Sequence, residues 1–305
     1  MAPTPEPSRA GPALRGLLER GFRFEQAGAL ERALEAYSEA LARSEGPIDE
    51  AETRVGLARV YRAMARYEDS QKEAAAALRL AEAGGAEDLA AEALNVDVGA
   101  LQMQGFFDEA DEVSRRALAR ARSPRMRGIT LQNLGRGAAE RADFASAERY
   151  FAESVEAFRA ADYEFGLAVA LCNTAKAALD QNDAARSLAI GGEAMAIARR
   201  QNALDLLLNV TQNQAAAYAS LGQFDSAESL LTEALGHFTS ARNVGRQAEC
   251  LELMGQLSER RGDDRDTAVR CYRRALDLAL AAKDHPLTAR LTSRIEALTA
   301  RAEHE

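Results

Sequence analysis

The chain has no tryptophan, and only 7 tyrosines and 10 phenylalanines among 305 residues. That leaves little on which unpaired bases could stack. Its formal net charge is -9. Nucleic acid is held mainly by neutralising phosphates, so an acidic chain without a basic face is not expected to bind it. No stretch approaches the roughly 20 uncharged apolar residues of a membrane helix, which excludes direct membrane insertion by that route. Met1-Ala-Pro-Thr-Pro-Glu-Pro-Ser lacks a basic segment followed by an apolar one, so it does not read as a secretory signal. Three prolines there predict a disordered lead-in over residues 1–12. Cysteine is also scarce: Cys172, Cys250 and Cys271 are odd in number and far apart. This argues against a disulfide framework and predicts a reducing, cytoplasmic setting. His237, His285 and His304 lack metal-ligand spacing, and no metal or other cofactor is expected.

β-branched runs are short as well. What remains is Ala, Leu, Glu and Arg, with apolar residues recurring at three and four, which predicts an all-helical chain. One pattern returns throughout. A small residue stands at Ala33, Ser70, Ala110, Ala147, Ser187, Ala227 and Ala268, a period of 37 to 41 residues. Four residues later come Tyr37, Ala74, Ser114, Phe151, Gly191, Leu231 and Tyr272; three after those come Ala40, Ala77, Ala117, Ser154, Ala194, Ala234 and Ala275. A second pair of slots lies twelve and nine residues upstream. It holds Gly21 and Phe24, Ala58 and Tyr61, Val98 and Leu101, Gly135 and Ala138, Ala175 and Ala178, then Ala215 and Tyr218. Gly255 fills the first slot of the last repeat if one residue is inserted near Gly262. Turns are predicted between the two patterns at Gly28, Arg66, Gly105, Ala142, Asn182, Gly222 and Gly262, most of them at residues that tolerate a left-handed helix end. Small residues let two antiparallel helices approach. No such hairpin can bury its apolar face alone, so neighbours must stack.

These slots resemble the tetratricopeptide repeat family over roughly residues 14–282. The unit is longer than the family's basic one of about 34 residues. It is similar to the long-repeat arrays of kinesin light chain, the LGN/Pins adaptors and bacterial peptide-sensing regulators such as the Rap proteins. The resemblance implies a right-handed superhelical solenoid of about seven hairpins, with the first helix of each (helix A) lining a concave groove. The expected repeats are 13–47, 48–85, 86–123, 124–162, 163–202, 203–242 and 243–283, followed by a capping helix and tail over 284–305. Asp284-His285-Pro286 reads as a helix start. Leu287, Leu291, Ile295 and Leu298 form one apolar stripe, with Arg290, Arg294 and Arg301 away from it. Val98 and Gly191 depart from the family pattern and put local packing in question.

Function is sought on the A helices. Asn133, Asn173 and Asn213 occupy one slot, two residues before the small residue, in three consecutive repeats. Asn is a poor helix former, and a row of carboxamides offers donors and acceptors to a peptide backbone. Peptide-binding members of the family use Asn in this slot in that way. The alternative is that each merely bonds the neighbouring hairpin. Arg59, Arg136 and Lys176 share a second slot, and Gln132, Gln212 and Asn209 lie close by. Together they predict a polar, locally positive groove from about Gly128 to Gly222, suited to an extended peptide with acidic residues or a terminal carboxylate. Gly135-Arg-Gly137-Ala-Ala-Glu140 resembles a phosphate loop but falls inside a helical pattern with no strand before it. Glu140 and Asp180 share a slot without a metal motif, and Cys172 has no histidine near it. The expectation is a non-catalytic scaffold or adaptor that binds a peptide segment of a partner protein. Two alternatives stand beside it: a peptide-responsive regulator whose superhelix changes shape, and a self-assembling structural protein forming homo-oligomers. The first repeat begins by Leu14, which leaves no room before it for the effector domain such regulators often carry.

Overall fold

The computed structural model describes residues 11–262 and 265–300. The lead-in through residue 10, Arg301, His304 and the two residues after Gly262 lie outside that range. Among the described residues there are fifteen α-helices and no strand. Seven hairpins come in sequence. They are α1 (Pro12–Gln26) with α2 (Leu30–Ala42), α3 (Pro47–Ala63) with α4 (Tyr67–Ala83), α5 (Glu87–Met103) with α6 (Phe107–Arg120), and α7 (Pro124–Glu140) with α8 (Phe144–Ala160). The remaining three are α9 (Glu164–Asp180) with α10 (Ala184–Arg200), α11 (Leu204–Ser220) with α12 (Phe224–Ser240), and α13 (Val244–Arg261) with α14 (Arg265–Ala282); α15 (His285–Ala300) follows alone. The odd-numbered helices are the A helices. The residues form two compact units that divide between Ala170 and Leu171, within α9. Within each unit, helices pack on the next helix and on the next but one.

Local chemistry sets the helix ends. Pro12, Pro47 and Pro124 open α1, α3 and α7, where the missing N–H costs nothing and the fixed φ suits the first turn. Ser123, Asp143, Asp183 and Asn243 cap α7, α8, α10 and α13 through side-chain oxygens. Within the hairpins, the A helix ends on a left-handed residue at Gly28, Gly105, Ala142, Asn182, Gly222 and Gly262. In the second hairpin the left-handed residue is Ala65 (φ 57°), not Arg66, whose φ is -89°. The N–H three residues past the last helical residue returns to a carbonyl five back, as from Ala29 to Phe24 and from Arg66 to Tyr61. Those acceptors occupy the second upstream slot.

The small and bulky slots interlock. A Cβ placed on Gly21 would come within 2.8 Å of the Tyr37 ring, one on Gly135 within 2.4 Å of Phe151, and one on Gly255 within 2.6 Å of Tyr272. The aromatic ring of helix B thus lies on the bare backbone of helix A. In the third hairpin the B slot is small and the A slot grows: Val98, fully buried, accompanies Ser114. Gly191 is compensated differently, because Gln214 of the next A helix reaches to within 3.0 Å of where its Cβ would be. The added residue of the last repeat is absorbed in α13, which has 18 residues where most A helices have 17.

Asp284 caps α15 by accepting from the Leu287 N–H at 3.0 Å. Leu287, Leu291 and Leu298 enter the core of α13 and α14 around Tyr272 and Leu251. Each buried leucine contributes about 1.5–3 kcal/mol relative to an exposed one. The helix therefore takes the place that the next A helix would take, closing the last hairpin.

Candidate functional site

In the unit before Leu171, the A-helix slots are joined by polar bonds from each repeat to the next. Asn133 on α7 donates through Nδ2 to Asn95 Oδ1 on α5 at 3.0 Å. Asn95 is buried and in turn donates to Thr130 Oγ1 at 2.8 Å. The Asn133 carbonyl accepts from Gln102 Nε2 at 3.0 Å, and Gln102 Oε1 accepts from Arg136. Gln132 donates to the Gly166 carbonyl at 3.2 Å. Asn95 and Gln102 escape a search for repeated asparagines. Asn95 stands one slot before the asparagine row, where other repeats hold Gln132, Cys172 and Gln212.

Arg59 is fully engaged. Its guanidinium donates to Glu25 at 3.1 Å, to Glu92 at 2.8 Å and to the Tyr37 hydroxyl at 3.2 Å. Burial opposes its charge, but Glu25, Tyr37 and Glu92 more than offset that and raise its pKa. Arg136 is exposed as a residue, yet the surrounding protein desolvates its guanidinium and lowers its pKa despite Glu140 one turn on. Arg62, not singled out by the sequence, lies half-buried on α3. Its Nε is buried without an acceptor. Burial lowers its pKa, and the charge of Arg136 lowers it further.

In the unit after Ala170, Asn213 donates to the Cys172 carbonyl at 3.3 Å, with Cys172 Sγ 3.5 Å away. Asn173 is half-buried, and no hydrogen bond of its carboxamide is found among the described residues. Lys176 is exposed and paired with Asp180 at 2.7 Å. Asn209 and Gln212, both exposed, face a cavity of about 800 Å³ with walls that include Arg246, Glu252 and Arg290. The charges on those walls are matched. Arg290 forks onto Glu252 with two bonds of 2.8 Å, and Arg246 pairs with Asp205 and Glu249. Arg294, on the same wall, pairs with Glu259, which also accepts from the Tyr272 hydroxyl.

The other sequence candidates resolve simply. Gly135 and Gly137 lie inside α7, so their segment is helix and not a phosphate loop. Burial pushes the Cys172 thiol up to about 11 and the Cys250 thiol to about 12, far from a nucleophile's range. Among the described residues no group of three or more His, Cys, Asp or Glu could hold a metal ion, and no helix is long and apolar enough to cross a membrane.

This hairpin register is the tetratricopeptide repeat fold, as comparison with solved structures shows. A Rap protein complexed with Competence and Sporulation Factor superposes with a TM-score of 0.63 at 17% identity, covering 96% of this chain and 76% of that one. The Rap conjugation gene regulator of the plasmid pLS20, in complex with the Phr peptide, gives a TM-score of 0.63 at 15% identity, covering 89% and 75%. A tetratricopeptide repeat protein from Parabacteroides merdae gives 0.55 at 14% identity, covering 92% and 100%. At such identities it is the fold that is shared. No protein-family model matches the chain, and no curated protein matches its sequence.

Proposed function

We propose that this protein is a non-catalytic, cytoplasmic scaffold that holds an extended peptide segment of a partner protein against its A helices. The observation that carries this reading is a set of unspent carboxamides. The carboxamides of Asn209 and Gln212 stand at the cavity of about 800 Å³ and, like that of Asn173, make no hydrogen bond among the described residues. An extended peptide has a free N–H and C=O at almost every residue, which such groups match whatever the side chains. Two solved Rap proteins of the same fold hold Competence and Sporulation Factor or the Phr peptide, which supports a peptide as the class of ligand. Arg136, which bonds neutral Gln102 and forms no ion pair among the described residues, favours a segment with acidic groups or a terminal carboxylate. Three unpaired cysteines fit a reducing compartment.

The test is recovery of partners on the tagged chain and on an Asn173→Ala, Asn209→Ala, Gln212→Ala variant. This choice leaves Asn133 and Asn213 in place, since both bond the preceding repeat. Loss of a partner by a variant that unfolds at the same temperature as wild type is the expected result. Equal recovery by both proteins would remove the support for this reading.

A further inference from the structure

Along α1, α3, α5 and α7, polar pairing between adjacent A helices follows a rule that fails at one step. Four residues after the small slot stands an acceptor; one residue after the small slot of the following A helix stands an arginine that bonds it. Glu25 receives Arg59 in this way, and Gln102 receives Arg136. In the other unit Glu259 receives Arg294 of α15, which stands in for the following A helix. Between α3 and α5 the pattern is inverted and incomplete. The acceptor slot holds a cation, Arg62, and the slot facing it holds Gly99.

Gly99 explains where the guanidinium goes. A Cβ there would lie 2.5 Å from Arg62 Nη1, so the side chain rests on the bare backbone of α5. Among the described residues no carboxylate bonds it. Glu25 is occupied by Arg59 and Tyr37, and Glu140, near Arg136, forms no ion pair among the described residues. The carboxamide of Gln102 is turned to Asn133 and Arg136. The charge of Arg136 thus disfavours that of Arg62 across α5, where Gln102 offers Arg136 a neutral amide. A half-buried guanidinium with an unmet Nε is an unfavourable arrangement in isolation, and a carboxylate is the group whose paired oxygens fit its fork.

We propose that Arg62, supported by Arg136, binds a carboxylate of the partner segment over Gly99, in the place that Glu25 takes for Arg59. This deepens the peptide-binding reading and rests on it. The ligand class is an extended peptide with an aspartate or glutamate side chain at this point. An anion of this kind completes the interrupted ladder.

The test uses the full chain and labelled decapeptides of alternating alanine and aspartate, capped at both ends, with asparagine twins, read by fluorescence anisotropy. The expected result is a preference for the aspartate peptide of about tenfold or more. The overall negative charge of the protein works against a merely non-specific preference. Arg62→Gln removes the preference, and so does Gly99→Glu, which supplies an internal carboxylate. Lys72→Gln, on the exposed side of α4, leaves it unchanged. Arg62→Met keeps or raises the thermal midpoint while the preference is lost, an outcome that a purely structural arginine would not give. Uncapped C termini and inorganic phosphate as competitors show whether a terminal carboxylate or a phosphate replaces the side chain; displacement by phosphate alone overturns the carboxylate assignment. Equal binding of both peptides, absence of binding by either, or a preference that survives Arg62→Gln each overturns the inference. Equal binding of the two peptides, weakened by the Asn173, Asn209 and Gln212 substitutions, would leave peptide capture standing without this subsite.

Discussion

The ring of Tyr37 in α2 fills the space that a Cβ on Gly56 in α3 would need, at 2.5 Å from the nearest ring atom. Tyr37 also covers Gly21 of its own hairpin, so one side chain joins two repeats. Gly56→Ala is expected to lower stability by about 1–3 kcal/mol through overpacking. Urea unfolding measures it. A double variant with Tyr37→Leu should recover part of the loss, and a fully additive pair would contradict this packing.

The Asn95–Asn133 bond gives a second expectation. Asn95→Ala removes the donor to Thr130 and leaves Asn133 without its acceptor. A cost of about 1–3 kcal/mol follows for leaving such groups unmet. A double-mutant cycle with Asn133→Ala should show a coupling of roughly 1 kcal/mol. Zero coupling would mean that the bond does not join the repeats.

Alkaline pH is a third lever. The thiols of Cys172 and Cys250 are raised to about 11 and about 12, from an ordinary value near 9, chiefly by burial. Between these values the unfolded chain releases protons that the folded chain keeps. The stabilisation is therefore complete below about pH 9 and is lost as pH rises towards 11 and 12, by up to about 1.4 kcal/mol per pH unit for each thiol. Thermal midpoints across pH 8 to 11, compared between wild type and Cys172→Ala, Cys250→Ala, check this. The double variant should show the shallower fall.

Ala142 holds a left-handed backbone, φ 58°, at the turn between α7 and α8. That conformation costs an alanine roughly 1–2 kcal/mol, partly offset by the greater freedom that a glycine loses on folding. Ala142→Gly should raise stability by about 0.5 kcal/mol or more, seen as a higher urea midpoint at unchanged slope. A lower midpoint would show that the turn is not strained.

Much of the fold could be read from residue spacing, because interlocking small and bulky slots must recur wherever hairpins stack. The second left-handed turn stands at Ala65, one residue before the expected Arg66, because neither Ala nor Arg marks such a position by its chemistry and only the five-residue distance to Ser70 does. The candidate site was less legible. Repetition located Asn133 and Asn213 but not their acceptors, Asn95 and Cys172, which lie 38 and 41 residues away in a different slot. Arg59 and Lys176 share a slot with Arg136, yet their charges are answered by Glu25, Glu92 and Asp180. Arg62 has no repeated counterpart. Its significance depends on the absence of a side chain at Gly99, which becomes apparent only once the two helices are adjacent.

Within each unit, the described helices pack mainly on the next helix or the next but one. Mechanical load follows the same rule. Force applied along such a chain meets the weakest junction first, and each hairpin that comes away leaves the one behind it with a newly bare face. Rupture should then appear as a series of small, similar steps rather than a single break. A ligand seated on Arg62 would tie α3, α5 and α7 together at that point, so its binding should be felt as one step in the series that comes later and at higher force.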